Sequence, residues 1–228
     1  MNTEKRIGWL LISGAILLLI PYTLLTMVFD YPDILREDPG VVLTRFHAGG
    51  NSLIWIWWSF AMTGIPLLFA YVGIGQLFEN QSSLTRSATV LGIISGITQI
   101  VGLLRWTFVV PVLASAYVET NDESVKSSIS IVFQAFHQFG GVVLGEHLGQ
   151  LFTIAWTVMI ARVFAQTGYF PRWVSVSGYV ISGIYLLAQA ELFATVMPGF
   201  PVWDLAGFLG STLWLLWLVV VGVYFVRR

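Results

Sequence analysis

The chain contains no cysteine. Disulfides, thiolate metal sites and cysteine nucleophiles are therefore excluded. Charge is scarce as well. Only 10% of the 228 residues are Asp, Glu, Lys or Arg, against about 25% in an ordinary soluble domain. So few charges cannot cover a water-facing surface. The formal net charge is -1, and nothing in that balance draws the chain to nucleic acid. Catalytic signposts are missing too: no G-x-S-x-G, no H-E-x-x-H, no P-loop and no Gly-rich dinucleotide turn occurs. No run of alternating apolar and polar residues suggests a membrane barrel.

What is abundant is apolar. Hydrophobic residues make up 57% of the chain, and mean hydropathy is +0.81. A helix needs about 20 apolar residues to cross a bilayer at about 1.5 Å per residue. Six stretches qualify, at 7–29, 51–78, 88–117, 129–163, 173–197 and 203–226. The first is longer than the core of a cleaved signal peptide and has no small-x-small cleavage site, so it reads as a retained span. Turn and charge signals fill the connections, as in DYPDILREDPG at 30–40 and MPGFP at 197–201. Backbone polar groups in lipid need internal partners, which leaves a helical bundle. The expectation is an all-α polytopic membrane protein, a bundle of six transmembrane helices forming one integral-membrane domain over 1–228. The stretches 51–78, 88–117 and 129–163 exceed a span; tilt, protrusion or a break would each absorb the excess.

Basic residues set the expected orientation. An even number of spans puts both termini on one side. That side would hold Lys5, Arg6, Arg86, Arg162, Arg172, Arg227 and Arg228, and the other only Arg36, Arg45 and Lys126. Both termini are therefore expected in the cytoplasm.

Polar residues inside the spans are the candidate functional groups. QAFHQFGGVVLGEHLGQ at 134–150 carries His137, Glu146 and His147 among glycines. Gly141, Gly145 and Gly149 recur every fourth residue, a small-residue stripe suited to close helix packing, and Gly92 and Gly96 offer a similar face. On a regular helix the polar groups and glycines surround the whole circumference, so this fourth span is expected at the centre of the bundle. Arg105 and His137 fall about 18 Å and about 14 Å from the outer ends of their spans; Gln99 and Glu146 each fall about 27 Å in. An outward-opening polar cavity follows, with an Arg–His layer above a Glu–His–Gln layer and with Gln189 and Glu191 on the fifth span.

Each group has a plainer reading. Arg105, at a cost of at least ~2.5–3.5 kcal/mol near mid-membrane, is either an anion-binding group or a structural Arg paired with a carboxylate such as Glu191. Glu146 either carries a proton or makes a structural hydrogen bond. His137 and His147 sit about 15 Å apart along a regular axis and cannot chelate one ion, so a metal or haem would need His47 as well. Trp55, Trp57 and Trp58 read as an interfacial belt, and Trp106 as a pocket wall.

From His137 onward the chain resembles a family of bacterial six-span membrane proteins, the domain-of-unknown-function 4386 family. The residues that carry the resemblance are H-x-x-G at His137–Gly140, L-G at Leu144–Gly145, TGYFPR at 167–172 and LWLL at 213–216, with KRIGWLLI near the start. The specific match, from His137 on, covers about the last 40% of the chain. GEHLGQ lies outside that pattern. The family carries no established activity, so the resemblance implies only the fold and a multi-pass location in the bacterial cytoplasmic membrane.

The leading functional expectation is binding or translocation of a small polar or anionic ligand, or a proton, by Arg105, His137, Glu146, His147, Gln99, Trp106 and Glu191. The alternatives are an intramembrane metal or haem enzyme using His47, His137 and His147, or a structural accessory subunit packing a partner through its glycines. Apart from the lipid bilayer, cofactor, partner and oligomeric state are open at this level.

Overall fold

The computed structural model describes residues 2–228. Among the described residues 85% are helical and no strand occurs. Six helices there are long and apolar enough to cross a membrane: Thr3–Phe29, Pro39–Phe78, Leu84–Glu119, Glu123–Thr167, Arg172–Ala194 and Ala206–Val226. The expected all-α architecture with six membrane-spanning helices is present.

Two spans begin six or more residues earlier than hydropathy places them. The second starts at Pro39 rather than residue 51, and the fourth at Glu123 rather than residue 129. Local capping chemistry explains both. Asp38 caps α2 (Pro39–Met62) by accepting from Gly40 N, with Pro39 at the first helical position. Asp122 caps α6 (Glu123–Phe136) by accepting from Ser124 N and Val125 N. A hydropathy window averages over such caps and misses them.

The three long stretches are broken. The second divides at Thr63 into α2 and α3 (Gly64–Phe78). Pro66 lacks the N–H that would reach the carbonyl four residues back, at Met62, where α2 ends. The third divides at Val109 into α4 (Leu84–Phe108) and α5 (Val110–Glu119), with Pro111 in the same role. Within α2 itself, Gly50 takes φ 56° and ψ -154°, a conformation that favours glycine and interrupts the helix. In the fourth stretch, His137–Leu148 winds as a π-helix between α6 and α7 (Gly149–Thr167). Its i→i+5 bonding widens the turn, so azimuths reckoned at 100° per residue do not hold there. The last spans are α8 (Arg172–Leu187), the short α9 (Gln189–Ala194) and α10 (Ala206–Val226).

The described residues form two compact units. Unit 1 holds residues up to Ile16, Ile65–Thr98 and Glu146–Arg228; unit 2 holds Leu17–Gly64 and Gln99–Gly145. Unit 1 packs Trp156, Phe164, Trp217 and Phe225 with Ile7, Leu11 and Ile74. Its polar groups are mostly satisfied within it. Trp214 Nε1 donates to Thr157 Oγ1 at 2.9 Å, and Trp217 Nε1 to the Val174 carbonyl at 2.9 Å. Ser95 Oγ donates to the Gly149 carbonyl at 2.9 Å and lies 2.6 Å from Thr153 Oγ1.

The turn in TGYFPR behaves as its residues dictate. Gly168 ends α7 in the left-handed region, at φ 63°, and Pro171 restarts the chain as the N-cap of α8. Tyr169 hydrogen-bonds Glu4 through its hydroxyl and accepts from Arg228 Nη2 at 2.5 Å through its carbonyl. Burial, then the bond to Glu4, pushes the Tyr169 hydroxyl up to about 12, so it remains a donor at physiological pH.

Unit 2 has an aromatic core. Phe29, Phe46, Trp57 and Trp106 are all buried; Trp57 and Trp106 stack at 4.7 Å with planes 9° apart, and Phe29 meets both edge-on. Beside this core α4 approaches the π-helical segment closely. A Cβ added to Gly102 would stand 2.7 Å from both the Gly140 carbonyl oxygen and Gly145 Cα. Those are backbone atoms and have little freedom to yield. The expected close packing at the fourth-span glycines exists, but the facing residue is Gly102. Gly92 and Gly96 lie instead against Trp156 and Leu68 in unit 1.

Gly102→Ala is expected to cost about 1–3 kcal/mol through overpacking and to lower the apparent Tm of the detergent-solubilised protein. Gly183→Ala, where an added Cβ meets nothing within 4 Å, is the control and is expected to leave Tm unchanged or slightly higher. Equal Tm values for the two variants would contradict the close approach.

Candidate functional site

Arg105 lies in the last turn of α4 and is only 8% exposed. Its Nη1 donates to the carbonyl of Gly102, on the preceding turn. Its Cζ stands 5.3 Å from the centroid of the Trp106 ring, within cation–π range. The guanidinium passes directly over Gly141 of the π-helical segment: a Cβ there would collide with Nη2 and lie 2.8 Å from Cζ. The absence of a side chain at Gly141 is what makes room for the charge.

His137 opens the π-helical segment and joins the same cluster. Its ring lies 6.1 Å from Trp106, edge-on, and stacks on Phe133 at 5.5 Å. The charges of Arg105 and Arg36 both reach it. Both imidazole nitrogens are buried and have no hydrogen-bond partner among the described residues. The same is true of the indole nitrogens of Trp57 and Trp106. Unit 2 therefore assembles Arg105, Trp106 and His137, as the sequence suggests, and adds Trp57. A buried polar group without a partner costs roughly 1–3 kcal/mol, so three such side chains in one cluster call for an explanation.

Trp57 was missed because its neighbours mislead. Trp55 is 65% exposed and Trp58 39%, as an interfacial belt requires, and IWIWWSF reads as one such belt. The stronger signal is helical spacing. Leu53, Trp57, Phe60 and Ala61 are all buried, a stripe at i, i+4, i+7 and i+8 that sets Trp57 apart from Trp55 and Trp58.

Gln99 is half-buried in unit 2. Glu146, His147 and Glu191 are half-buried in unit 1. There His147 Nδ1 lies 2.7 Å from Gln189 Oε1, and Gln189 Nε2 donates to Gln150 Oε1 at 2.6 Å. Gln189 is itself buried. An amide oxygen is an acceptor only, so this arrangement puts the proton of neutral His147 on Nδ1 and leaves Nε2 as the ring's acceptor. The ring also meets Phe193 edge-on at 5.7 Å. Glu146 stands within electrostatic reach of Tyr185. The sequence placed Gln189 and Gln150 among the polar residues of their spans, but not their bonded chain to His147.

His47 is exposed on α2. Among the described residues no group of three or more His, Asp or Glu side chains is placed to hold a metal ion. His47, His137 and His147 are not assembled as a ligand set.

The model of one protein family matches residues 7–222. The chain belongs to the family described as Domain of unknown function (DUF4386). Membership covers nearly the whole chain, well beyond the last two fifths in which most of the carrying motifs lie. No curated protein and no solved structure matches the chain. DUF4386 membership leaves the chemistry to be argued from the site.

The 15N shifts of His147 in selectively labelled protein are expected to show the Nδ1–H tautomer, and Gln189→Leu is expected to abolish that preference. An Nε2–H tautomer in the unsubstituted protein would mean that the Gln189 amide is reversed.

Proposed function

We propose that this protein binds or translocates a small polar solute, or a proton, within the membrane, with Arg105 as the principal contact. The observation that carries the reading is the buried Arg105 beside Trp57, Trp106 and His137, whose ring nitrogens lack protein partners. Polar groups inside spans are expensive and are retained where they meet a ligand or one another. The long π-helical segment supports the same reading, since π-helical geometry is rare and recurs at functional sites. Gln99 lines the solute's surroundings in unit 2. In unit 1, His147 held by Gln189, together with Glu146 and Glu191, supplies a separate set of hydrogen-bonding or proton-carrying groups. The protein acts as a single integral-membrane domain in a bacterial cytoplasmic membrane, with both termini inside, in line with the seven-to-three split of basic residues.

The test is osmotic swelling of proteoliposomes, together with equilibrium binding to the detergent-solubilised protein, across urea, acetamide, glycerol, formate and acetate. At least one solute is expected to bind or pass, with Arg105→Ala and Glu146→Gln each reducing affinity or rate by tenfold or more in correctly folded protein. Wild-type behaviour of both variants would sink the proposal.

A further inference from the structure

Several helix ends of unit 1 meet around Tyr169. Its hydroxyl donates to Glu4 at the start of the first span, and its carbonyl accepts from Arg228 just beyond α10. Its ring lies 5.0 Å from Phe78, the last residue of α3. Ser82, in the turn into α4, donates from Oγ to Gln166 Oε1 near the end of α7, at 3.0 Å. Trp173, at the start of α8, lies 6.3 Å from Tyr224 near the end of α10. These contacts gather six helix termini at one end of unit 1.

That end is rich in cations and poor in acids. Lys5, Arg6, Arg86, Arg162, Arg172, Arg227 and Arg228 belong to it, seven of the chain's eleven basic residues, and all seven are exposed. Only Glu4 and Glu79 of the twelve acids accompany them, and Glu4 is engaged by Tyr169. Among the described residues Lys5, Arg6, Arg86, Arg162, Arg172 and Arg227 form no ion pair. In unit 2, by contrast, Arg45 pairs with Asp30 and Lys126 with Glu123. The positive excess in unit 1 therefore has no counter-charge within the protein.

We propose that this end of unit 1 is a docking surface for anionic phospholipid headgroups, which supply the missing negative charge. The ends of membrane-spanning helices lie at headgroup level, so lipid phosphates are the anions within reach. Two exposed indoles mark that level. Trp9 and Trp173 are each 52% exposed; Trp9 follows Lys5 and Arg6 by one turn, and Trp173 adjoins Arg172. Amphipathic rings beside cations are what the membrane–water interface selects. There is room for a headgroup as well. Arg86 lines an open cleft of ≈ 430 Å³ with Asn80, Gln81, Ser82, Ser83 and Glu79. Its guanidinium and the amide and hydroxyl donors suit phosphate oxygens, and Glu79 can accept from headgroup hydroxyls. The surface does not depend on any solute at Arg105.

The test is native mass spectrometry of the full-length protein in detergent, titrated with phosphatidylglycerol and phosphatidylcholine of identical acyl chains. Phosphatidylglycerol is expected to bind at least fivefold more tightly. That preference is expected to fall at least threefold in Arg86→Gln/Arg162→Gln and in Arg172→Gln/Arg227→Gln, and to survive in Lys126→Gln. All the substituted side chains at this end are exposed, and either double variant is informative if the other fails to fold. Equal binding of the two lipids overturns the proposal. A preference unchanged in a folded double variant overturns this surface as its source. Displacement of phosphatidylglycerol by inorganic phosphate in large excess would assign the surface to a free anion and overturn the lipid. Retention of an acidic protein that phosphatidylglycerol does not displace would overturn it likewise.

Discussion

At Gly102 the backbone of α4 meets the backbone of the π-helical segment with no side chain between them. An added Cβ would fall 2.7 Å from the Gly140 carbonyl oxygen and from Gly145 Cα. The rest of unit 2 depends on that approach. One turn further along α4, it brings Arg105 over Gly141, where only a glycine leaves room for the guanidinium. Trp106 then faces the aromatic core built by Phe29, Phe46 and Trp57, and His137 closes the cluster from the start of the π-helical segment. In a bilayer, lipid tails match apolar side chains, so helices gain most from close backbone approach between small residues. Here that approach also fixes the position of a charge.

The two units treat buried polar groups differently. In unit 1, Trp214 and Trp217 direct their indoles to protein acceptors, and His147 sits at the end of a glutamine chain. Trp156, Ser175 and Ser182 are exceptions, with an unpartnered indole nitrogen and two unpartnered hydroxyls, but the Trp156 ring contacts are Tyr71 and Trp217. In unit 2 the unpartnered indoles of Trp57 and Trp106 stack on each other next to an arginine and a histidine. One orphaned donor is an ordinary imperfection of a packed interior. Several gathered in one cluster call for a common explanation.

The spans were legible in the sequence because hydropathy over twenty residues is a strong signal. Their starts at Pro39 and Glu123 were not, since capping by Asp38 and Asp122 acts through a few polar residues that any average suppresses. The breaks before Pro66 and Pro111 lie inside stretches that were visibly too long, and proline chemistry selects them among the alternatives. The π-helical turn left no comparable trace, and azimuths drawn on an α-helix through His137–Leu148 were wrong in principle. Arg105, Trp106 and His137 stood out as polar or amphipathic groups in lipid, and they do share one cluster. Trp57 was hidden between two exposed tryptophans, and Gly102 inside a span whose other glycines looked equally suited to packing. Pairwise geometry of that kind is set by tertiary contact and not by local pattern.

The most direct measurement is a cryo-electron microscopy map of the protein in lipid nanodiscs, at a resolution that separates bound solutes from side chains. Non-protein density within hydrogen-bonding distance of the Trp57 and Trp106 indole nitrogens, next to Arg105 and His137, is the predicted result. Indole and imidazole nitrogens bonded to protein acceptors, with no density between them and Arg105, would contradict it.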